Sequence, residues 1–178
     1  MLADPHQSCI LLVNLTRGVD AAASAVLVTH RDKCLSLLVG CRGLFNVRQI
    51  ALGECEAGLL PDPVAASIEH LDADVFSLWA DPRIAGYLAT SDIGTVFLGG
   101  SYLEEDVLIA ALQGAGYGYD VRILADLSIA RSEIDRPLLL DRLAQHGIVA
   151  TTMRQAALEW AVSLGDAAII RKVRELLS

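Results

Sequence analysis

Thr95-Val-Phe-Leu-Gly-Gly-Ser-Tyr-Leu-Glu-Glu-Asp106 is the stretch whose reading decides the fold. An apolar run from Ile93 to Leu98 ends in two glycines, and a helical pattern starts shortly after them. A buried parallel strand that turns over the edge of its sheet into a crossover helix reads this way. In open α/β sheets ligands sit at such strand ends. What the new helix offers in its first turn is acid: Glu104, Glu105 and Asp106.

Outward from that stretch the alternation repeats. Cys9–Leu15 is a continuous apolar run with Asn14 at its carboxyl end, and Thr16 to Asp20 reads as loop. Residues 21–28 are small and apolar, and they fit a helix turn or a short strand equally well. Arg31–Cys41 carries apolar residues close to helical spacing, with Gly43 as a stop. Phe45–Leu52 predicts a second strand, Gly53 to Pro63 a loop, Ala65–Leu71 a short third strand and Asp72–Trp79 an irregular segment. Asp81-Pro82 opens a helix through Leu88, with proline near the first helical position. After Ile93–Leu98 the pattern predicts a helix over Leu103–Ala115, a fifth strand over Tyr119–Leu124 with Asp126 at its end, and a helix over Arg131–His146. Ile148-Val149-Ala150 completes the sheet, Thr151-Thr152 caps a helix through Trp160, and Ala167–Leu177 is a last helix. The expectation is one domain over residues 1–178: an α/β fold with three α/β/α layers, a doubly wound, mainly parallel six-stranded sheet.

Composition excludes several classes. Hydrophobic residues are 53% of 178, and mean hydropathy is +0.45, yet no stretch of about 20 residues is without charge or a helix breaker. The apolar surplus therefore belongs to a sheet covered on both faces and to a subunit interface, which predicts a homo-oligomer and no membrane span. Met1-Leu2-Ala3-Asp4-Pro5 does not read as a signal peptide, so the expected location is cytoplasmic. Net charge is −8 without a phosphate-tracking basic cluster, which argues against nucleic acid. Arg171-Lys172 and Arg174 face Glu175 on a terminal helix and read as its solvated side. Cys9, Cys34, Cys41 and Cys55 form no CxxC pair and read as reduced, mostly buried thiols. His70 with Asp72 and Asp74 reads as a solvated loop in preference to a metal set, so no metal or cofactor is expected.

In this order the motifs resemble the isochorismatase-like cysteine hydrolase family across nearly the whole chain. The family's first strand runs into Asp-x-Gln, where this chain has Asn14-Leu15-Thr16. Its Lys-x-x-x-Ser-x-aromatic segment is matched by Ala73-Asp74-Val75-Phe76-Ser77-Leu78-Trp79, with Ala73 at the lysine. Its Gly-Val-x-Thr-x-x-Cys-Val is matched by Gly100-Ser101-Tyr102-Leu103-Glu104-Glu105-Asp106-Val107, with Asp106 at the cysteine. Gly116-Tyr117, Val121–Leu124, Asp126 and Gly147–Thr152 follow as in the family. The resemblance implies an Asp–Lys–Cys triad for attack on a carbonyl, and all three positions are altered here. A neutral amide at 14 accepts no proton near pH 7. Ala73 supplies no charge to a neighbour. A carboxylate at 106 is a poorer nucleophile toward amides than a thiolate.

Two function classes follow. In the first, chemistry is lost and the chain is a pseudo-hydrolase that binds a small molecule or a partner subunit. In the second, Asp106 is a general acid/base of a rebuilt acidic site, with Asn14 beside it, acting on a vinyl ether or a C–N amide bond. The resemblance supplies a precedent, since the isochorismatases cleave a vinyl ether without the cysteine. Trp79, Gly100, Ser101, Tyr102 and Glu105 are the candidate pocket residues. The same acids also make a sound helix start, because carboxylates are favoured there by the helix dipole.

Overall fold

The computed structural model describes residues 1–18 and 25–178. Its strands are β1 (Ser8–Val13), β2 (Arg48–Leu52), β3 (Glu69–Leu71), β4 (Thr95–Tyr102), β5 (Asp120–Ile129) and β6 (Val149–Thr151). All pair in parallel in one sheet of order β3-β2-β1-β4-β5-β6. The helices are α1 (Ala25–Phe45), α2 (Asp62–Ser67), α3 (Pro82–Thr90), α4 (Leu108–Gly116), α5 (Arg136–Gln145), α6 (Met153–Leu164) and α7 (Ala167–Leu176). This is the doubly wound α/β architecture that the motifs predict.

The continuous apolar run of β1 is explained by its place at the sheet centre. Alternate side chains leave opposite faces of a strand. Ile10 and Leu12 enter a core built with α1 and α6, including Leu38, Phe97 and Trp160, while Cys9, Leu11 and Val13 enter a second core with Ile84, Leu98 and Val107. With both faces covered, neither half of the pattern can be polar. Trp160 anchors the first core edge-on to Phe97 and Phe45, with centroids at 5.0 and 5.5 Å, and its indole N–H donates to Ser8 Oγ at 3.2 Å. Strand order reverses between β1 and β4, so the crevice over their carboxyl ends is the switch point of the sheet.

Several boundaries differ from the expectation, each for a local reason. Of the ambiguous stretch 21–28, residues 25–28 belong to α1 and 21–24 lie outside the described residues. The segment Ala65–Leu71 is strand only from Glu69, because Asp62-Pro63 starts a helix with proline in its first turn. β4 continues through both glycines to Tyr102. Gly100 permits this with φ +136: a Cβ there would clash with the Val13 carbonyl oxygen and lie 2.7 Å from the Val13 nitrogen. β5 runs past Asp126 to Ile129 after register shifts against β4. Asp126 accepts the Met153 N–H at 3.0 and 3.2 Å, and so holds the start of α6 beside the Thr152–Gln155 capping box. α5 begins at Arg136, five residues late, because Arg131 is drawn to Glu104 and Glu105 instead.

Among the described residues no helix is long and apolar enough to cross a membrane. Burial pushes the Cys9 and Cys41 thiols up to about 12, and burial followed by the neighbouring Asp126 carboxylate does the same for Cys34. A folded state that holds these protons more tightly than the unfolded chain loses stability as pH rises from about 9 toward 12. Circular dichroism against pH is expected to show unfolding in that window, delayed in Cys9→Ala. A midpoint unmoved by removing the thiol would refute the linkage.

Candidate active site

Asn14, Ala73 and Asp106, the three positions matched to the triad, line one cleft of about 320 Å³ at the switch point. Their elements explain the convergence. Asn14 follows β1 directly and takes φ +46, a left-handed conformation that asparagine tolerates better than most residues. Its N–H donates to the Leu52 carbonyl at 2.8 Å, which ties the turn to the end of β2. Gly53 (φ +75) completes that tie, since a Cβ there would run into Asn14 Oδ1. Asp106 sits in a single π-helical turn, Leu103–Val107, inserted between β4 and α4. Such turns recur at functional sites. Here it turns Leu103, Asp106 and Val107 inward and leaves Glu104 and Glu105 half-buried.

Asp106 is 1% exposed, and its Oδ2 accepts three hydrogen bonds. The donors are Arg17 Nη1 at 2.7 Å, Asn14 Nδ2 at 2.8 Å and Ser101 Oγ at 3.1 Å. The Asn14 amide is used at both ends, because its Oδ1 accepts the Glu54 N–H at 2.8 Å. An aspartate at 14 would set two carboxylates at this distance, whereas the amide donates. Asn14 and Asp106 are thus a matched pair, each residue type fitting the other.

The cation comes from outside the matched motifs. Ala73 lines the cleft without charge, and Arg17, three residues beyond Asn14, supplies it. Arg17 also holds Glu54, through Nε at 3.0 Å and Nη2 at 2.5 Å. Hydrogen bonding to Arg17 is the main reason that the Glu54 carboxyl lies below its ordinary range, and the same bond raises the guanidinium. Thr16 fastens the loop to the segment after β2, accepting the Glu56 N–H at 3.0 Å. The only sequence signal for Arg17 and Glu54 is position: both stand just past the carboxyl ends of neighbouring strands.

The other candidates divide. Gly100 shapes the strand end, and buried Ser101 supports Asp106 from below. Tyr102 is packed with the Arg131 guanidinium 3.9 Å above its ring, and does not line the cleft. Glu105 pairs with Arg131 at 2.6 Å on the surface. Trp79 lies outside this cleft: its N–H donates to the Ala110 carbonyl at 2.8 Å and its ring stacks on Tyr119 at 5.3 Å. Glu104 and Glu105 do not cap the helix start, since no side chain does so at this turn. Among the described residues no group of His, Cys, Asp and Glu is arranged to hold a metal, and His70 Nε2 lies 2.9 Å from the Gly53 carbonyl oxygen.

Fold and site together define a doubly wound α/β protein with a carboxylate clamped at the switch point. No protein-family model matches the chain. It is 34% identical over 76 residues to isochorismatase domain-containing protein 2 of Xenopus laevis, a match that takes in 43% of this chain and 36% of that protein. The chain thus spans about a third of the length of that curated relative. Among solved structures it resembles the YcaC gene product of Escherichia coli, described as an octameric hydrolase of unknown specificity, with TM-score 0.77 and 20% identity over 99% of this chain and 90% of that one. It resembles MAR1 ribonuclease of Caenorhabditis elegans with TM-score 0.79 and 17% identity, over 99% of this chain and 92% of that one. The chain shares the fold of these structures and, over 76 residues, resembles an isochorismatase domain-containing protein.

Proposed function

We propose that the protein is a ligand-binding pseudo-hydrolase, which keeps the family's fold and cleft and does not carry out thiol chemistry. The observation behind this is the triple occupation of Asp106 Oδ2 by Arg17, Asn14 and Ser101. A carboxylate pinned in this way at the position of the nucleophile has no thiolate's reactivity toward a carbonyl. None of the four cysteines lines the cleft. Asn14, at the position of the family's base, carries no charge. The chain acts as a cytoplasmic homo-oligomer in this reading: the Escherichia coli relative is described as octameric, and Ile134, Leu138 and Val149 stand 90%, 69% and 57% exposed on this chain. A formal charge of −8 sets it against nucleic acid as partner.

A second reading has its own support. Asp106 lines the cleft, and neither Trp79 nor Tyr102 does. Asp106 would then be the general acid/base of a hydrolase acting on a vinyl ether or a C–N amide bond. Ammonia and pyruvate release from a panel of amides and enolpyruvyl ethers separates the two. The expected result is no turnover by wild type or by Asp106→Ala. Turnover by wild type that disappears in Asp106→Ala would replace the first reading with the second.

A further inference from the structure

The Asp106 cleft adjoins a second depression of about 400 Å³, and the two share one side chain, Phe76. The second is lined by Trp79, Gln113 and Tyr117 among others. Its floor is rigid: Trp79 is held by its bond to Ala110 and stacked on Tyr119. Its rim is open, with Phe76 55% and Tyr117 64% exposed. Phe76 is nevertheless fixed in place, because its N–H donates to Asp74 at 3.1 Å and its carbonyl accepts from Gln113 at 3.1 Å. An exposed aromatic ring on a pinned backbone costs little ordering on binding. Aromatic rims of this kind serve as contact surface.

Charge distinguishes the other half. Glu54, Asp72, Asp74 and Asp106 line the cleft, with Arg17 as the cation of the lining. Arg17 is committed to Asp106 and Glu54, and Arg83, which donates to the Asp72 carbonyl at 2.8 Å, is paired with Asp81. Exposed Asp72 and Asp74, the latter met by the neutral Phe76 N–H and Ser77 hydroxyl, are the surplus charge beside Phe76. A cation there is attracted by both carboxylates and by the face of the ring, whereas an anion meets like charge.

We infer that the two depressions form one site for an amphipathic amine: its protonated nitrogen lies at Asp72 and Asp74, and its aryl or alkyl body crosses Phe76 into the Trp79–Tyr117 groove. This names the ligand class of the binding reading above and rests on it. The test is calorimetric titration of the intact protein with 4-phenylbutylamine, its charge-reversed counterpart 4-phenylbutyrate, and the tail-less n-butylamine. Phenylbutylamine is expected to bind about tenfold more tightly than either of the others, and more weakly as salt rises. Phe76→Ala and Asp72→Asn, both substitutions of exposed side chains, are each expected to weaken it about three- to tenfold. Equal or tighter binding of phenylbutyrate or butylamine overturns the inference, and so does an affinity unchanged in Phe76→Ala. Phenylbutyrate binding that is lost in Asp106→Asn would overturn the amine while leaving the cleft a ligand site. Silence of phenylbutylamine overturns the inference alone, since the turnover panel above judges the pseudo-hydrolase reading separately.

Discussion

Arg17→Met is expected to destabilise the protein by about 2–3 kcal/mol, although Arg17 stands on a surface loop. The reason lies in its partner. The Asp106 side chain is 2% exposed, and removing the guanidinium leaves a buried carboxylate with only the neutral donors Asn14 and Ser101. Breaking a buried pair from one side costs about 3–5 kcal/mol, and the 35% exposure of the Arg17 side chain calls for the lower figure. The double variant Arg17→Met/Asp106→Asn removes both charges. It should recover about 1–2 kcal/mol of the loss, because an amide at 106 still meets hydrogen-bonding neighbours. Urea denaturation of wild type, both single variants and the double closes the cycle. Additive losses, with no recovery in the double, would show that Arg17 and Asp106 do not stabilise each other. The cycle also bears on function, since it measures how firmly the cleft's cation is committed to its floor.

Gly100→Ala is expected to cost about 4 kcal/mol or more, enough to leave little folded protein in a domain of ordinary stability. Two effects combine. The backbone at φ +136 is a conformation that residues with a side chain rarely adopt, and the new methyl would clash with the Val13 carbonyl oxygen, a backbone atom of the central strand. Neither β1 nor β4 can move aside, because β1 is buried throughout between two cores. Gly99→Ala is the control. A Cβ at 99 would meet only side chains, Leu127 at 3.2 Å and Leu124 at 3.3 Å, which can shift by a few tenths of an ångström. Soluble yield and thermal melting should fall far more for position 100 than for 99. Equal losses would mean that the close approach of Gly100 to Val13 does not govern this turn.

The fold was legible because its signals are local. The run Cys9–Leu15, the Gly99-Gly100 punctuation and the Pro82 start each report on a few consecutive residues, and six strands alternating with helices leave few topologies. The exceptions show where local reading stops. β4 extends through two glycines because pairing with β1 supports the backbone there. α5 loses its first turn because the Arg131 side chain and N–H are taken by Glu105 and Glu104, 26 and 27 residues away in sequence. Trp79 occupies the aromatic position of the family motif and yet packs outside the Asp106 cleft, since its indole N–H is satisfied by Ala110.

By itself the sequence determined the order of the elements and the presence of Asn14, Ala73 and Asp106 at matched positions of the motifs. Hydrophobic period and turn residues are properties of neighbouring positions, and they carry that information without a fold. Only the tertiary structure decided what the site is made of. The cation of the cleft comes from Arg17, 89 residues from Asp106 in the chain, and Asn14 meets the same oxygen across 92. No spacing along the chain encodes such contacts; they exist because the parallel sheet brings the carboxyl ends of β1 and β4 side by side, where a buried carboxylate must be met by donors from whichever loop reaches it.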